Sequence, residues 1–508
     1  MEKKKTIRLG VSAAAFCVLL LRPLHASWLL APAVTLLLFA ALQAFRNNTE
    51  GVGKDHVKEK LHPAAVLLSV LLSVFFLLVW LRTKRLIALY YFEWRRALPI
   101  LLAAVPGTAG AVPFLSALLN ALHQSGSAPD RNRLRVQNGK SGGNDAGNNG
   151  GTCGGIRGGS REIVRFSKEE KRLLFCTALV TVTICSLSSP LYPFNDWVDT
   201  NCFFTVGKSM FFGVVPYRDL YEQKGPLLYM LYALGYPLSH RSFLGGWILE
   251  ILAAWWFLSL AWRCHALLTG KKDPKFLFLT AAIVYTVPAF LKGGSAEELT
   301  LPLIMLSAWY GLRCVYRKED LSGREAFFIG LSSGAVLWIK YSMLGFYLGF
   351  ILVPAYRMLR EKKGLRLLKL LGLIALGVAA SSLPILTYFG ANGAIPDLWE
   401  AYFFNNIFVY GKASSVFNTV KGLASGFMSM LTYNDVTILL FLLAVTVLWR
   451  RGERALTVHV FLCFGFAFGL VYAGGINMKY YSEILCVFVP LGVTMLLSLC
   501  GTLRHGAE

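Results

Sequence analysis

Long apolar runs recur along the chain, and a short polar segment separates each run from the next. A helix needs about 20 mainly apolar residues to cross the hydrocarbon core of a bilayer. The pattern therefore predicts an all-α, polytopic transmembrane bundle of about fourteen spans. The predicted spans lie at residues 9–21, 27–44, 63–81, 97–122, 172–190, 243–262, 275–291, 299–316, 325–339, 341–357, 366–389, 435–450, 457–474 and 482–500.

One polar stretch divides this series into two groups. Residues 123–168 are rich in Gly, Ser, Asn and Arg, and a segment of this kind buries too little apolar surface to fold. We interpret 1–122 as a bundle of about four spans, 123–168 as a flexible cytoplasmic linker and 169–508 as a second membrane module. The first apolar run follows Lys3–Lys5 without a small-residue cleavage site, which favours an uncleaved span.

The composition agrees with a membrane protein. Hydrophobic residues make up 55% of the 508 residues and charged residues 16%, and the mean hydropathy is +0.53. These values exclude a soluble globular enzyme, a disordered protein and a secreted disulfide scaffold. The ten cysteines show no CxxC pair and lie mostly in apolar runs, as expected of small buried hydrophobic side chains.

The net charge is +23, and many of the basic residues lie in predicted loops. Lys and Arg concentrate on the cytoplasmic side of membrane proteins. The basic loops 263–275, 317–324, 357–369 and 450–454 all fall inside if Pro226–Leu238 lies on the outer surface without crossing. The segment Arg82–Arg85 departs from this scheme, since it would fall outside. No basic helix or RNA-binding signature accompanies the charge, so we expect no nucleic-acid partner.

This orientation gathers the polar groups of the second module on the outer face. The loop 191–242 and the turns near 292–298 and Lys340 carry candidate binding and catalytic residues, whereas the aromatic loop 390–434 fits either an interfacial belt or sugar stacking. The candidates are Asp196, Asp199, Tyr217, Arg218, Asp219, Glu222, Lys224, Glu297, Glu298 and Lys340. The sequence leaves the choice between Glu297 and Glu298 open. Glu250 is an intramembrane carboxylate and a further functional candidate.

Part of this outer loop resembles a known superfamily. Asp199 opens an aromatic-rich helix with Gly213 fourteen residues on, and "EQKGPLLY" follows at 222–229. This arrangement is similar to the first external loop of GT-C glycosyltransferases, which include lipid-A aminoarabinose transferases and protein O-mannosyltransferases. The block "VPYRDLYEQKGPLLY" resembles the bacterial branch. The resemblance covers about 172–500 and not 1–170, and Thr200 stands where many relatives have Glu.

The resemblance implies a fold, a reaction and roles for residues. It implies a GT-C-like bundle whose external loop holds juxtamembrane helices, and transfer of a hexosyl or pentosyl group from a polyprenyl-phosphate donor on the outer face of the cell membrane. The acceptor would be an envelope glycan, a glycolipid or a protein. Asp199 would be the general base, with Glu222 as a second catalytic carboxylate and external lysines and arginines against the phosphate. Asp196 and Glu222 could instead hold a sugar hydroxyl or a cation, and dependence on Mg²⁺ or Mn²⁺ stays open.

Two other functions are compatible with many spans. A transporter or flippase of lipid-linked glycans predicts internal repeats and helices broken near the midplane, and the halves show no repeat. A non-catalytic membrane scaffold would leave the acidic outer loop without a role. We therefore expect a membrane glycosyltransferase.

Overall fold

The computed structural model describes residues 165–192, 195–290, 292–410 and 416–505. All regular elements in these ranges are helical, which confirms the all-α prediction for this part of the chain. The predicted bundle 1–122, and the linker as far as residue 164, lie outside the described residues.

The helices follow one another with short connections. We number them α1 to α14: Lys168–Cys185, Val198–Met210, Pro226–Gly235, Leu244–Thr269, Pro274–Thr286, Ala296–Tyr316, Gly323–Lys340, Gly345–Arg360, Gly364–Ala391, Ile395–Leu398, Val416–Tyr433, Asp435–Arg450, Arg454–Tyr472 and Val489–His505. Short 3₁₀ helices occupy Tyr236–Leu238, Pro288–Phe290, Tyr341–Leu344 and Tyr481–Phe488, and a π-helix occupies Trp399–Val409.

Hydrogen bonds between connections define two ends of the bundle. At one end, the Leu187 amide donates to the Lys292 carbonyl at 2.9 Å, which joins the end of α1 to the start of α6. At the other end, Arg357 donates to the Cys314 carbonyl at 2.6 Å and to Asp320 at 2.9 Å. We call these the site end and the basic end. The predicted cytoplasmic loops lie at the basic end.

Six helical stretches in the described residues are long and apolar enough to cross a membrane. They are 244–269, 296–316, 323–360, 364–391, 454–472 and 481–500. This supports a membrane protein, whereas the count of fourteen spans stays a prediction. Helix α5 is apolar but only 13 residues long, shorter than the predicted span 275–291.

The 38-residue stretch 323–360 is a hairpin rather than one rod. A straight helix of that length would extend about 57 Å. Arg357 near its end instead bonds Asp320, which immediately precedes its start. The reversal lies at the 3₁₀ turn Tyr341–Leu344, after the extended backbone of Lys340. The predicted spans 325–339 and 341–357 thus correspond to α7 and α8, joined at the expected tight turn.

Helices α2 and α3 both lie at the site end. Helix α3 begins at Pro226, which is favourable at a first helical turn because its missing N–H has no helical partner there. Ten residues extend only about 15 Å, half of a hydrocarbon core. The α3 start contacts Ile339 and its end contacts Gly245, so α3 stays at this end of the bundle. Its position on the membrane surface stays a prediction.

Gly225 allows α3 to approach α7 closely. Its amide donates to the Ile339 carbonyl at 3.0 Å, and a Cβ atom at this position would lie 2.0 Å from the Trp338 carbonyl oxygen. No side chain fits that space. The close contact brings Lys224 beside the end of α7, where Lys340 lies.

Gly225→Ala should therefore destabilise the protein by about 1–3 kcal/mol, the usual cost of overpacking. Thermal unfolding in detergent measures the effect. Gly372→Ala is the matched control, because nothing lies within 4 Å of a Cβ at that helical position. Equal melting temperatures for the two variants would contradict the close-packing account.

The predicted orientation can be tested by cysteine labelling. Phe212 is exposed at the site end, and Lys271 follows α4 at the basic end. In intact cells, an impermeant thiol reagent should label Phe212→Cys and not Lys271→Cys. The unsubstituted chain supplies the background from native cysteines. Labelling of Lys271→Cys from the outside would show that the orientation is opposite to the predicted one.

Candidate functional site

A cluster of charged side chains lies at the site end around the ring of Tyr480. We call Asp199, Glu222, Lys224, Glu297, Lys340 and Tyr480 the two-lysine cluster. Its members come from α2, the loop before α3, the start of α6, the end of α7 and the connection after α13. The fold thus brings together residues from five separate parts of the sequence.

Asp199 and Lys224 form the first half of the cluster. Asp199 lies in the first turn of α2, where a carboxylate interacts favourably with the helix dipole. Its Oδ2 atom is 3.7 Å from the Lys224 Nζ atom and accepts a 2.7 Å hydrogen bond from the Tyr480 hydroxyl. Lys224 donates to the same hydroxyl at 3.4 Å. Tyr480 therefore bridges the carboxylate and the ammonium.

Glu297 and Lys340 form the second half. The Lys340 ammonium pairs with Glu297, whose side chain is 1% exposed. The same ammonium lies 3.6 Å from the centre of the Tyr481 ring and 5.5 Å from that of Tyr480. The Lys224 ammonium also lies 5.5 Å from the Tyr480 ring centre. Two cations therefore contact one aromatic ring, an arrangement that cation–π attraction favours.

Glu222 holds the loop that carries Lys224. Its Oε2 atom accepts hydrogen bonds from the Lys224 amide at 2.9 Å and from the Tyr229 hydroxyl. Tyr217 supports the same loop, because its hydroxyl donates to the Lys224 carbonyl at 2.6 Å. Tyr217 has a φ of 71°, a backbone conformation that non-glycine residues rarely adopt and that often marks functional sites.

The surroundings fix the protonation states of two members. Burial opposes the charge on Lys224, but Tyr481 and the nearby carboxylates outweigh burial and raise the pKa of Lys224 above its ordinary value. Burial, followed by Glu297 and Asp199, raises the pKa of Tyr480 well above its usual range. At neutral pH Lys224 is therefore cationic and the Tyr480 hydroxyl keeps its proton, as donation to Asp199 requires.

The structure distinguishes Glu297 from Glu298. Glu297 faces Lys340, whereas the Glu298 Oε2 atom accepts from the Gly294 amide at 2.8 Å. The turn before them has positive φ at both Gly293 and Gly294, which favours glycine there. Glu297 therefore belongs to the two-lysine cluster, and Glu298 points to a second group of buried carboxyls.

Three predicted binding residues have partners away from the cluster. Asp196 pairs with Lys292 at 2.5 Å, and both side chains are more than one-third exposed. Arg218 bonds Asp219 and donates to the Asn392 carbonyl at 2.7 Å. The Arg218 guanidinium and the Val215 amide lower the pKa of Asp219 to about 2. The contacts of all three residues stabilise the loops that carry them.

The sequence pattern did not single out Tyr480 or Glu483 as site residues. Tyr480 lies in the connection after α13, and only the fold shows its bond to Asp199. Glu483 lies at the start of the apolar run 482–500 and is completely buried. A carboxylate in such a run is itself a functional signal, so Glu483 could have been found from the sequence.

Within the described residues, no group of three or more His, Cys, Asp or Glu side chains is arranged to hold a metal ion. What the cluster offers instead is a carboxylate beside protonated amines. A carboxylate can accept a proton from a hydroxyl, and an ammonium can stabilise an anionic leaving group.

The buried pair of Lys340 and Glu297 should dominate the stability of the site. Lys340→Met leaves a buried carboxylate without its cation, and the expected cost is about 3–5 kcal/mol. The double variant Lys340→Met/Glu297→Gln should recover much of this loss. Chemical or thermal unfolding of the four members of this double-mutant cycle measures the coupling.

Lys292→Met is the matched control, since its partner Asp196 is exposed and surface pairs contribute about 0–1 kcal/mol. If Lys340→Met lowered the free energy of unfolding as little as Lys292→Met does, the buried pair would contribute no more to stability than a surface pair.

Comparison of this chain with protein-family models, with curated proteins and with solved structures gave no match.

Proposed function

We propose that this protein is an integral membrane glycosyltransferase of the GT-C type. It would move a sugar from a polyprenyl-phosphate donor to an acceptor on the outer face of the membrane. One observation carries the proposal: the carboxylate of Asp199 and the ammonium groups of Lys224 and Lys340 all contact Tyr480, at one end of an apolar helix bundle. The resemblance of 199–229 to the external loop of these enzymes adds to it.

The chemistry requires a base and a charge stabiliser at one reacting centre. The acceptor hydroxyl loses its proton to Asp199 while its oxygen bonds to the anomeric carbon. The anomeric C–O bond to phosphate breaks, and polyprenyl phosphate leaves with the bonding electrons. Lys224 and Lys340 stabilise that leaving group, because preorganised cations act strongly on developing negative charge.

The contacts of the free protein suggest how the donor prepares the base. Asp199 is 3.7 Å from Lys224, so its negative charge is partly neutralised. A phosphate beside Lys224 and Lys340 would compete for both ammonium groups. Asp199 would then be freed to accept a proton, although Tyr480 still donates to it. Base activation would in this way depend on donor binding.

Glu222 fits a supporting role in this scheme. Its Oε2 atom already accepts from the Lys224 amide and the Tyr229 hydroxyl, so it fixes the loop that presents Lys224. Its place beside Asp199 and Lys224 also allows a bond to a sugar hydroxyl. The donor tail would stay in the hydrocarbon, which the six apolar stretches are long enough to cross.

Transfer of radiolabelled sugar from a polyprenyl-phosphate donor by the purified full-length protein tests the proposal. Asp199→Asn should lower the rate by about 10²–10⁴-fold, the usual contribution of a general base. Asp219→Asn is the matched control, because Asp219 lies in the same loop but bonds Arg218 outside the cluster. The control should keep near-normal turnover.

Two outcomes would change the assignment. Normal turnover in Asp199→Asn together with an inactive Glu222→Gln would transfer the base role to Glu222. Movement of the donor lipid between leaflets of proteoliposomes, without any sugar transfer, would overturn the enzyme in favour of a flippase.

A further inference from the structure

A second group of acidic side chains adjoins the two-lysine cluster and shares Glu297 with it. We call Glu250, Glu297, Glu298 and Glu483 the four-glutamate cluster. Each of the four residues is at most 1% exposed. They come from α4, from the start of α6 and from the 3₁₀ helix Tyr481–Phe488, and they surround the turn at Gly293–Ser295.

Hydrogen bonds account for only part of these carboxyl groups. One oxygen of Glu298 accepts from the Gly294 amide at 2.8 Å, and one oxygen of Glu483 accepts from the Ser295 hydroxyl at 2.7 Å. The second oxygens of Glu297, Glu298 and Glu483 are buried without a hydrogen-bond partner among the described residues. Glu250 lies beside the hydroxyls of Ser186 and Ser188.

Positive charge is scarce around these groups. Among the described residues, Lys340 is the one basic side chain in an ion pair with a member of the cluster. An isolated ionised carboxylate is very costly in a medium of low dielectric constant, and such a group normally takes up a proton instead. Four buried carboxylates against one ammonium would leave a large uncompensated negative charge.

The other ionisable neighbours supply little of this charge. Lys224 interacts electrostatically with Glu297 but forms its ion pair with Asp199, and Glu222 bonds its own loop. The other ionisable groups around the cluster in the described residues are thiols and phenols, which supply no positive charge: Cys185, Tyr232, Tyr285, Tyr472, Tyr480, Tyr481 and Cys486. Among the described residues, Lys340 is therefore the main influence on how many glutamates can be ionised.

We propose that the four-glutamate cluster is a proton-binding site controlled by Lys340. Glu298 and Glu483 hold protons at neutral pH, Glu250 is protonated in part, and Glu297 is ionised against Lys340. When Lys340 is drawn away from Glu297, the Glu297 carboxylate takes one proton from the medium. The protons bound at rest do not depend on the proposed function. The exchange deepens that function, because a donor phosphate at Lys340 would then bind together with a proton.

Infrared spectroscopy of the purified full-length protein in lipid nanodiscs tests this directly. A protonated carboxyl has a C=O band distinct from that of a carboxylate, and the band shifts in D₂O. The unsubstituted protein should show this band at neutral pH. Glu298→Gln and Glu483→Gln should each lower the intensity of this band by the contribution of one protonated carboxyl group.

The decisive variant is Lys340→Met, which should add one protonated carboxyl to the band. Lys340→Met/Glu297→Gln is its matched control and should add none, and it also serves if the single variant folds poorly. Absence of the band in the unsubstituted protein would overturn the proposal, as would a Lys340→Met variant that gains nothing. A band that appears only when choline replaces sodium would show that a metal cation, rather than protons, occupies the cluster.

This experiment uses no sugar donor, so its outcome is separate from that of the transfer assay. If transfer fails while the band behaves as expected, the proton site stands and the glycosyltransferase does not. If the band is absent while transfer proceeds, the glycosyltransferase stands and the proton site does not.

Discussion

The ion pair between Lys340 and Glu297 is the interaction on which the site end depends. Both groups are largely removed from water, at the junction of α6 and α7. In an apolar bundle neither charge is stable alone, so the pair holds these two helix ends together. The same ammonium contacts the rings of Tyr480 and Tyr481, which places the connection after α13 against the pair. At this position one ion pair therefore both neutralises two buried charges and holds two helix ends together.

Glycine at 225 extends this junction to the outer loop. Because the α3 start contacts the last turn of α7 without an intervening side chain, Lys224 comes close to Lys340. Tyr480 then lies against both lysines and bonds Asp199 from α2. The two-lysine cluster therefore depends on one close backbone contact and one aromatic side chain. It holds two ammonium groups and one carboxylate around a single aromatic side chain.

The two clusters at the site end have opposite character but share Glu297. The two-lysine cluster carries two ammonium groups and is partly open to solvent, whereas the four-glutamate cluster is buried. A ligand that competes for Lys340 necessarily changes the charge balance of the four-glutamate cluster. This shared residue is the physical basis for coupling between anion binding and protonation, whichever molecule supplies the anion.

The sequence by itself determined the class of structure and the candidate residues. Apolar runs of membrane-spanning length predicted the helices, because hydrocarbon excludes unsatisfied backbone groups. The basic loops predicted which connections share one end, and the contacts of Arg357 with Cys314 and Asp320 agree with that grouping. The pattern also identified Asp199, Lys224 and Lys340, and it predicted the tight turn at Lys340. All these signals are local in the chain.

Only the tertiary structure decided which of the candidates meet. The choice of Glu297 over Glu298 depends on the rotation of α6 against α7, and the roles of Tyr480 and Glu483 depend on contacts across 281 and 188 residues. Asp196 and Arg218 have the right chemistry in the right loop, yet they pair elsewhere. Spacing along a chain does not encode such contacts, because they arise from the packing of whole helices, and that packing is set by close approaches such as the one at Gly225.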